Sequence, residues 1–298
     1  MTNISASMVK ELREKTNVGM MECKKALEAA GGNIEQAIEA LRKAGQAKAV
    51  KKSDRVAAEG SVVIATSPDA KRAVILETNC ETDFVGRSDD FRAFAKDAAA
   101  LALSKEIKSL EDLSSLVDAG RLELIAKLGE NINLRRMEYL EVSEGMIGSY
   151  LHGDTSSSRI AALVLINSTD ATLAKDLAMQ VAAMNPEYLN MTDIPAERLD
   201  KERSICLALA QEQNPGKAAE MIEKITEGKL KKWASEICLH SQAFVKNDNQ
   251  NIEQLLKSKQ TQVQRYLRMA VGEGIEKQVS NFAEEVRAQT EAFAAGTQ

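Results

Sequence analysis

Cys238 and His240 stand one residue apart, the only place in the 298-residue chain where a thiol and an imidazole are close neighbours. Such a pair can make a thiolate nucleophile, because the ring takes the proton. A single C-x-H step has no second pair at zinc-type spacing, so as a metal site it is incomplete. Cys23, Cys80 and Cys206 are scattered far from it, which predicts reduced thiols packed as small hydrophobes. His152 is the one other imidazole, too little for a His-based catalytic set. Asp83, Asp89 and Asp90 offer carboxylates, but acid–base catalysis needs them placed over a substrate pocket, and no pocket signature accompanies them. The chain has no G-x-x-x-x-G-K-[ST] loop, no G-x-S-x-G elbow and no H-E-x-x-H helix, and "VGEGIEK" from Val271 carries two of the three glycines of a dinucleotide fingerprint. The expectation is a protein that works by contact, not an enzyme, with no cofactor and no metal.

Contact chemistry concentrates at residues 79–91, "NCETDFVGRSDDF", which looks like a loop between a strand and a helix. Phe84 and Val85 lie there among Glu81, Thr82, Asp83 and Arg87. Drawing Phe84 into a core would carry polar neighbours along, each unpaired one costing about 1 to 3 kcal/mol. Presenting it to a partner avoids that cost. Thr82, Asp83, Phe84 and Val85 are therefore the candidate binding residues, with Phe84 folded into the core as the alternative that composition leaves open.

The elements that must hold this stretch follow from composition and periodicity. Hydrophobic content of 44%, 4% aromatic residues and 4 prolines against 11 methionines predict an α+β fold, mostly helix with some sheet, long enough for two or three domains. The formal charge of −5 gives no basic field of the kind that polynucleotide binding requires. No apolar run reaches the roughly 18 residues of a membrane span, and the first residues lack a signal-peptide apolar core. A cytoplasmic protein with no direct nucleic-acid or membrane partner is expected.

Met8, Val9 and Leu12, then Met20, Cys23 and Leu27, then Ile34, Ala37, Ile38 and Leu41 recur at helical spacing, with Asn33 placed to cap the third run. They predict a three-helix unit similar to ubiquitin-associated domains. The basic stretch "RKAGQAKAVKKSDR" that follows reads as a solvated linker or as a contact for an acidic partner, and closes a module at residues 1–55. From residue 57 a duplication is visible. "EGSVVIAT" and "RAVILETN" with a helix from Asp89 match "EGMIGSYLHG" and "RIAALVLIN" with a helix from Thr169, each copy strand, turn, strand, helix. The first copy spends "CETDFVGRS" where the second spends "STD", so the Phe84 stretch is an insertion, and insertions of this length at element junctions are often functional. The two core subdomains span residues 56–143 and residues 144–195 with 236–275. Residues 196–235 read as a helical hairpin broken at "QNPG", with Leu199, Cys206 and Leu209 on one arm and Ala218, Met221, Ile222 and Ile225 on the other. Residues 276–298 are expected to form a last module with an amphipathic helix near residues 283–295.

Six stretches, "NVGMMECKKALEAAGGNIEQAIEALRKAG", "NCETDFV", "LGENINLRR", "SYLHG", "GKAAEMIEKITEGKLKKW" and "VGEGIEK", resemble, in order, the elongation factor Ts family of bacterial translation. The resemblance implies a guanine-nucleotide exchange factor for the GTPase elongation factor Tu. It implies that Asp83 and Phe84 enter the GTPase domain near its magnesium site, the ring wedging between helices so that the nucleotide loses contacts. It further implies partner contacts by Leu128 and Gly129, by His152, and by Arg13, Met20 and Met21, and a homodimer within a two-to-two complex as one assembly. From the residues alone, Leu128, Met20 and Met21 read equally as core and His152 as a satisfied strand histidine. Gly86 stands where the family more often has Ala, and Trp233 where it more often has Phe. Two other classes of function stay open at this point: an adaptor acting through the three-helix unit, and a thiol enzyme built on Cys238 and His240.

Overall fold

The computed structural model describes residues 4–16, 18–154 and 157–276. Helices α1 (Ala6–Thr16), α2 (Met20–Ala29) and α3 (Ile34–Lys52) close over Val9, Leu12, Cys23, Leu27 and Ala37. Asn33 Oδ1 accepts the Gln36 amide at 3.1 Å, satisfying one of the free donors at the start of α3. Strands β1 (Glu59–Thr66) and β2 (Arg72–Cys80) follow, then α4 (Asp83–Arg87), α5 (Asp89–Ser104), α6 (Leu110–Leu128) and β3 (Asn133–Glu141), giving an antiparallel sheet in the order β1-β2-β3. The second half runs β4 (Met146–Asp154), β5 (Ser157–Ile166), α7 (Ala171–Met184), α8 (Ala196–Gln213), α9 (Ala219–Ile237), the small pair β6 (Ala243–Phe244) and β7 (Asn247–Asn251), α10 (Ile252–Ser258) and β8 (Val263–Ala270), with an antiparallel sheet in the order β4-β5-β8.

The continuous apolar runs of β2 and β5 are explained by burial on both faces. Val74 and Leu76 point to α5 and α6, while Ala73 and Ile75 point to the other sheet. Likewise Ala162, Val164 and Ile166 meet α7, while Ala161, Leu163 and Leu165 meet Val62 and Ile75 across the sheet interface. The layers are helix, sheet, sheet, helix. The duplication extends to backbone detail: Gly60 (φ 136°) and Gly145 (φ 74°) occupy matching places, and a Cβ on either would lie 2.1 Å from the Thr78 carbonyl or 1.8 Å from that of Ile166. Only glycine permits so close an approach at positive φ.

One charge is buried at the sheet interface. Glu77, with 0% exposure, accepts the Gly272 amide at 2.8 Å, Arg135 Nη1 at 3.1 Å and Arg136 Nε at 2.5 Å. Burial pushes its carboxyl up, but the Gly272 amide and the Arg136 guanidinium outweigh burial and hold it below the ordinary value. The carboxylate thereby ties the centre of the first sheet to the turn that follows β8.

Several elements differ from the sequence reading. The basic stretch is no free linker as far as Lys52: α3 continues through it and packs along α6, and Arg42 pairs with Glu123 at 3.0 Å. Its run of Ala and Lys without proline favours helix, so nothing stops the helix where the module's core ends. Each sheet has a third strand, β3 or β8, that the strand-turn-strand-helix repeat does not contain. The hairpin seam is built from Cys206 and Ala210 against Ile222, Thr226, Leu230 and Ala234. Leu209 and Met221 face outward instead. Trp233 lies at the hairpin base beside Ile194 and Cys238, with the Arg198 guanidinium 5.9 Å from its ring centre. No described helix is long and apolar enough to cross a membrane. The helix expected near residues 283–295 lies outside the described residues.

Candidate functional site

The stretch expected to be a loop is a single helical turn, α4, held between two caps. Thr82 is extended (φ −121°, ψ 156°), and its Oγ1 accepts the Val85 amide at 3.4 Å. Ser88 then caps α5: its Oγ accepts the Phe91 amide at 3.4 Å and donates to the Val85 carbonyl at 2.7 Å. Two capping residues six apart leave room for one turn only. Asp83 in that turn pairs with Arg87 at 3.3 Å, each at the helix end whose dipole suits its charge.

The turn has an inner and an outer side. Val85 packs against Cys80, Phe91, Leu124, Ile125 and Ile132, and Gly86 is buried where a Cβ would come within 3.3 Å of Gly60 Cα and 3.4 Å of Cys80 Sγ. With Val85 and Gly86 turned inward, Phe84 is turned out, and 83% of it is exposed. The polar neighbours find partners at the surface: Glu81 accepts the Asn131 amide at 2.7 Å, and Thr82 bonds to Glu130. Phe84 is therefore presented by a turn whose other members are all engaged.

Leu128 and Gly129 sit beside it. Leu128 packs half-buried against the cluster that holds Val85, and Gly129, exposed with φ 78°, ends α6 by donating its amide to the Ile125 carbonyl at 2.9 Å. Lys52, at the end of α3, donates to the Gly129 carbonyl. The other candidates lie on different elements. Arg13 is exposed on α1, and Met20 and Met21 start α2 with 51% and 67% exposure. Their reading as core does not hold, since α2 buries Cys23, Ala26 and Leu27 instead. His152 is exposed on the edge strand β4, with its Nδ1 3.3 Å from the Tyr150 hydroxyl. Glu130 and Asn131, which hold the turn, were missed; their signal was their place directly after Leu128 and Gly129 in "LGEN".

Thiol chemistry is disfavoured by the surroundings. All four cysteines are buried and unpaired. Burial, with Asp193 and Glu187 nearby, pushes the Cys238 thiol up, while burial pushes the His240 imidazole down. Both shifts favour the neutral pair, the reverse of an activated thiolate and imidazolium. Burial, with the Glu130 and Glu59 charges, pushes Cys80 up to about 12. Among the described residues no three His, Cys, Asp or Glu side chains gather as a metal site.

Fold and site together define a mixed α+β protein that presents an exposed aromatic side chain on a braced turn, with its four cysteines buried. The family model for Elongation factor TS matches residues 81–273. Elongation factor Ts of Methylococcus capsulatus is 50% identical over 297 residues, spanning 97% of this chain and 99% of its own. Those of Hydrogenovibrio crunogenus and Acidithiobacillus ferrooxidans are 47% and 48% identical, across 96% of this chain and 97% and 98% of their own. The chain belongs to the elongation factor Ts family, elongation factors of protein biosynthesis.

Proposed function

We propose that the protein binds elongation factor Tu carrying GDP and speeds release of the nucleotide, so that GTP can replace it. The observation that carries this reading is Phe84, 83% exposed on a capped turn whose neighbours are engaged inward. A ring held out in this way gains most by entering an apolar cleft of a partner. Asp83 and Phe84 enter the GTPase domain beside the magnesium site, the phosphate-binding elements shift, and GDP loses contacts. Thr82 and Val85 form the base of the probe; Leu128 and Gly129 extend the same surface. Met20 and Met21, with Arg13, give the three-helix module an apolar contact on the same GTPase, and His152 contributes a further one from β4.

Phe84 does not act alone. A thousandfold acceleration needs about 4 kcal/mol, while burying one Phe yields roughly 1.5 to 3 kcal/mol. The other contacts supply the difference. By reciprocity, whatever weakens the nucleotide in the ternary complex lets the nucleotide weaken the factor equally, so incoming GTP displaces it. The reading places the protein in the cytoplasm and admits a two-to-two complex. The test is release of fluorescent GDP from elongation factor Tu with a substoichiometric amount of the chain. Release of all the bound nucleotide at a raised rate is expected; a rate equal to spontaneous release overturns the proposal.

A further inference from the structure

Glu130 uses both of its carboxylate oxygens on the turn that carries Phe84. Its Oε2 accepts the Glu81 amide at 3.0 Å and the Thr82 amide at 2.9 Å, and its Oε1 accepts the Thr82 hydroxyl at 2.5 Å. The Thr82 hydroxyl, its proton committed to Glu130, keeps its lone pairs for the Val85 amide at 3.4 Å. The chain of bonds thus runs from Glu130 through Thr82 into the first turn of α4. The grip is returned, since Glu81 accepts the Asn131 amide at 2.7 Å. Asn131 in turn donates its side-chain amide to the carbonyls of Ser53 at 3.2 Å and Arg55 at 2.9 Å, fixing the chain that leads from α3 into β1. The left-handed Gly129 lets the chain leave α6 and return toward the turn.

We infer that Glu130 is the positioning residue of the exchange turn, setting the angle at which Phe84 meets the GTPase without needing to touch the GTPase itself. This rests on the exchange reading of Phe84. Bonds from a carboxylate to backbone amides and a hydroxyl are charge-assisted and short, which suits them to hold a turn whose displacement would misdirect the ring. Without the carboxylate, two amides at the base of the turn lose their acceptor, and Thr82 is free to turn away from its cap.

The experiment measures GDP release from elongation factor Tu against factor concentration for the full chain, Glu130→Ala, Glu130→Gln, Phe84→Ala and the double variant. Glu130→Ala is expected to lower the maximal release rate about ten- to a hundredfold, the range that misplacement of a reacting group produces. The half-saturating concentration changes much less, because the contacts on α1, α2 and β4 are untouched. Glu130→Gln is expected to recover most of the rate, its amide oxygen taking the two backbone amides and its NH2 facing the Thr82 hydroxyl. The double variant is expected to be no slower than Phe84→Ala alone, since Glu130 works through the ring. Hydrogen exchange at the Glu81 and Thr82 amides should quicken in Glu130→Ala while the sheet amides keep their protection. A full rate for Glu130→Ala, or losses that multiply in the double variant, overturns the positioning role and leaves the role of Phe84 intact. A full rate for Phe84→Ala shows that the ring is not the probe and overturns the reading of Phe84 on which this inference rests, while a rate for the full chain equal to spontaneous release overturns the exchange reading itself. If Glu130→Ala does not fold, Glu130→Asp keeps the charge but draws the carboxylate back from the Glu81 and Thr82 amides, and a full maximal rate for it overturns the proposal.

Discussion

Replacing Phe84 with Ala separates stability from function: the structure sets the size of the first effect, and the proposed role of the ring sets that of the second. With 83% of Phe84 exposed, truncation removes almost no buried area from the free protein. The packing below is kept by Val85 and Gly86, and the caps by Thr82 and Ser88. The unfolding free energy should therefore change by less than about 0.5 kcal/mol, the usual range for surface substitutions. On the proposed function the ring moves from water to an apolar cleft of the partner, gaining about 1.5 to 3 kcal/mol. At about 1.4 kcal/mol for each factor of ten, its loss slows release roughly 10- to 150-fold. Thermal unfolding of the free variant and stopped-flow release of fluorescent GDP at saturating factor measure the two quantities. A melting temperature lowered by many degrees would mean that Phe84 serves the core. Unaltered release would mean that the ring is not the probe.

Glu77→Gln removes the charge that faces Arg135 and Arg136, and should cost about 2 to 3 kcal/mol at neutral pH, since it takes the buried carboxylate from both partly covered guanidiniums and leaves Arg136 only the outer Glu273 at 3.4 Å. The carboxyl is held below its ordinary value in the fold, so its contribution is complete above the unfolded value of about 4.3 and lost as pH falls through the lower folded one. Denaturant titrations of both proteins should differ fully at pH 7 and converge at strongly acidic pH; a gap independent of pH would show that the charge is not the cause. Gly86→Ala places a Cβ 3.3 Å from Gly60 Cα, a tight contact offset by about 1 kcal/mol of helix preference. The melting temperature should stay within about 4 °C, and GDP release should be unchanged. A much larger loss would show that glycine is required there.

Much of the scaffold is legible in the sequence for identifiable reasons. The duplication shows because strands buried on both faces, such as residues 72–80 and 157–166, leave apolar runs that stand out and align. The exposure of Phe84 was readable from its polar neighbours. Strand β3 was not, because "NLRRMEYLE" mixes Arg and Glu with its apolar residues, two of those charges serving Glu77. The outward Leu209 and Met221 were misplaced because helical spacing marks an apolar face but does not say which of two faces a partner helix takes. Met20 shared the spacing of Cys23 and Leu27 yet begins its helix beyond the packed region. Glu130 escaped for a different reason. It binds backbone amides of residues nearly fifty positions away, and amides leave no mark in the sequence.

The central claim is that Phe84 enters the GTPase domain next to the magnesium site, and photocrosslinking tests it most directly. A benzoylphenylalanine placed at position 84 keeps an aromatic ring at the tip of the turn, and the same group at position 221, exposed on the hairpin, serves as the control. With nucleotide-free elongation factor Tu, the account predicts a crosslink from position 84 to the helices flanking the magnesium site, weakened when excess GDP and magnesium are added. A crosslink from position 84 to another domain, or one indifferent to nucleotide, would contradict it.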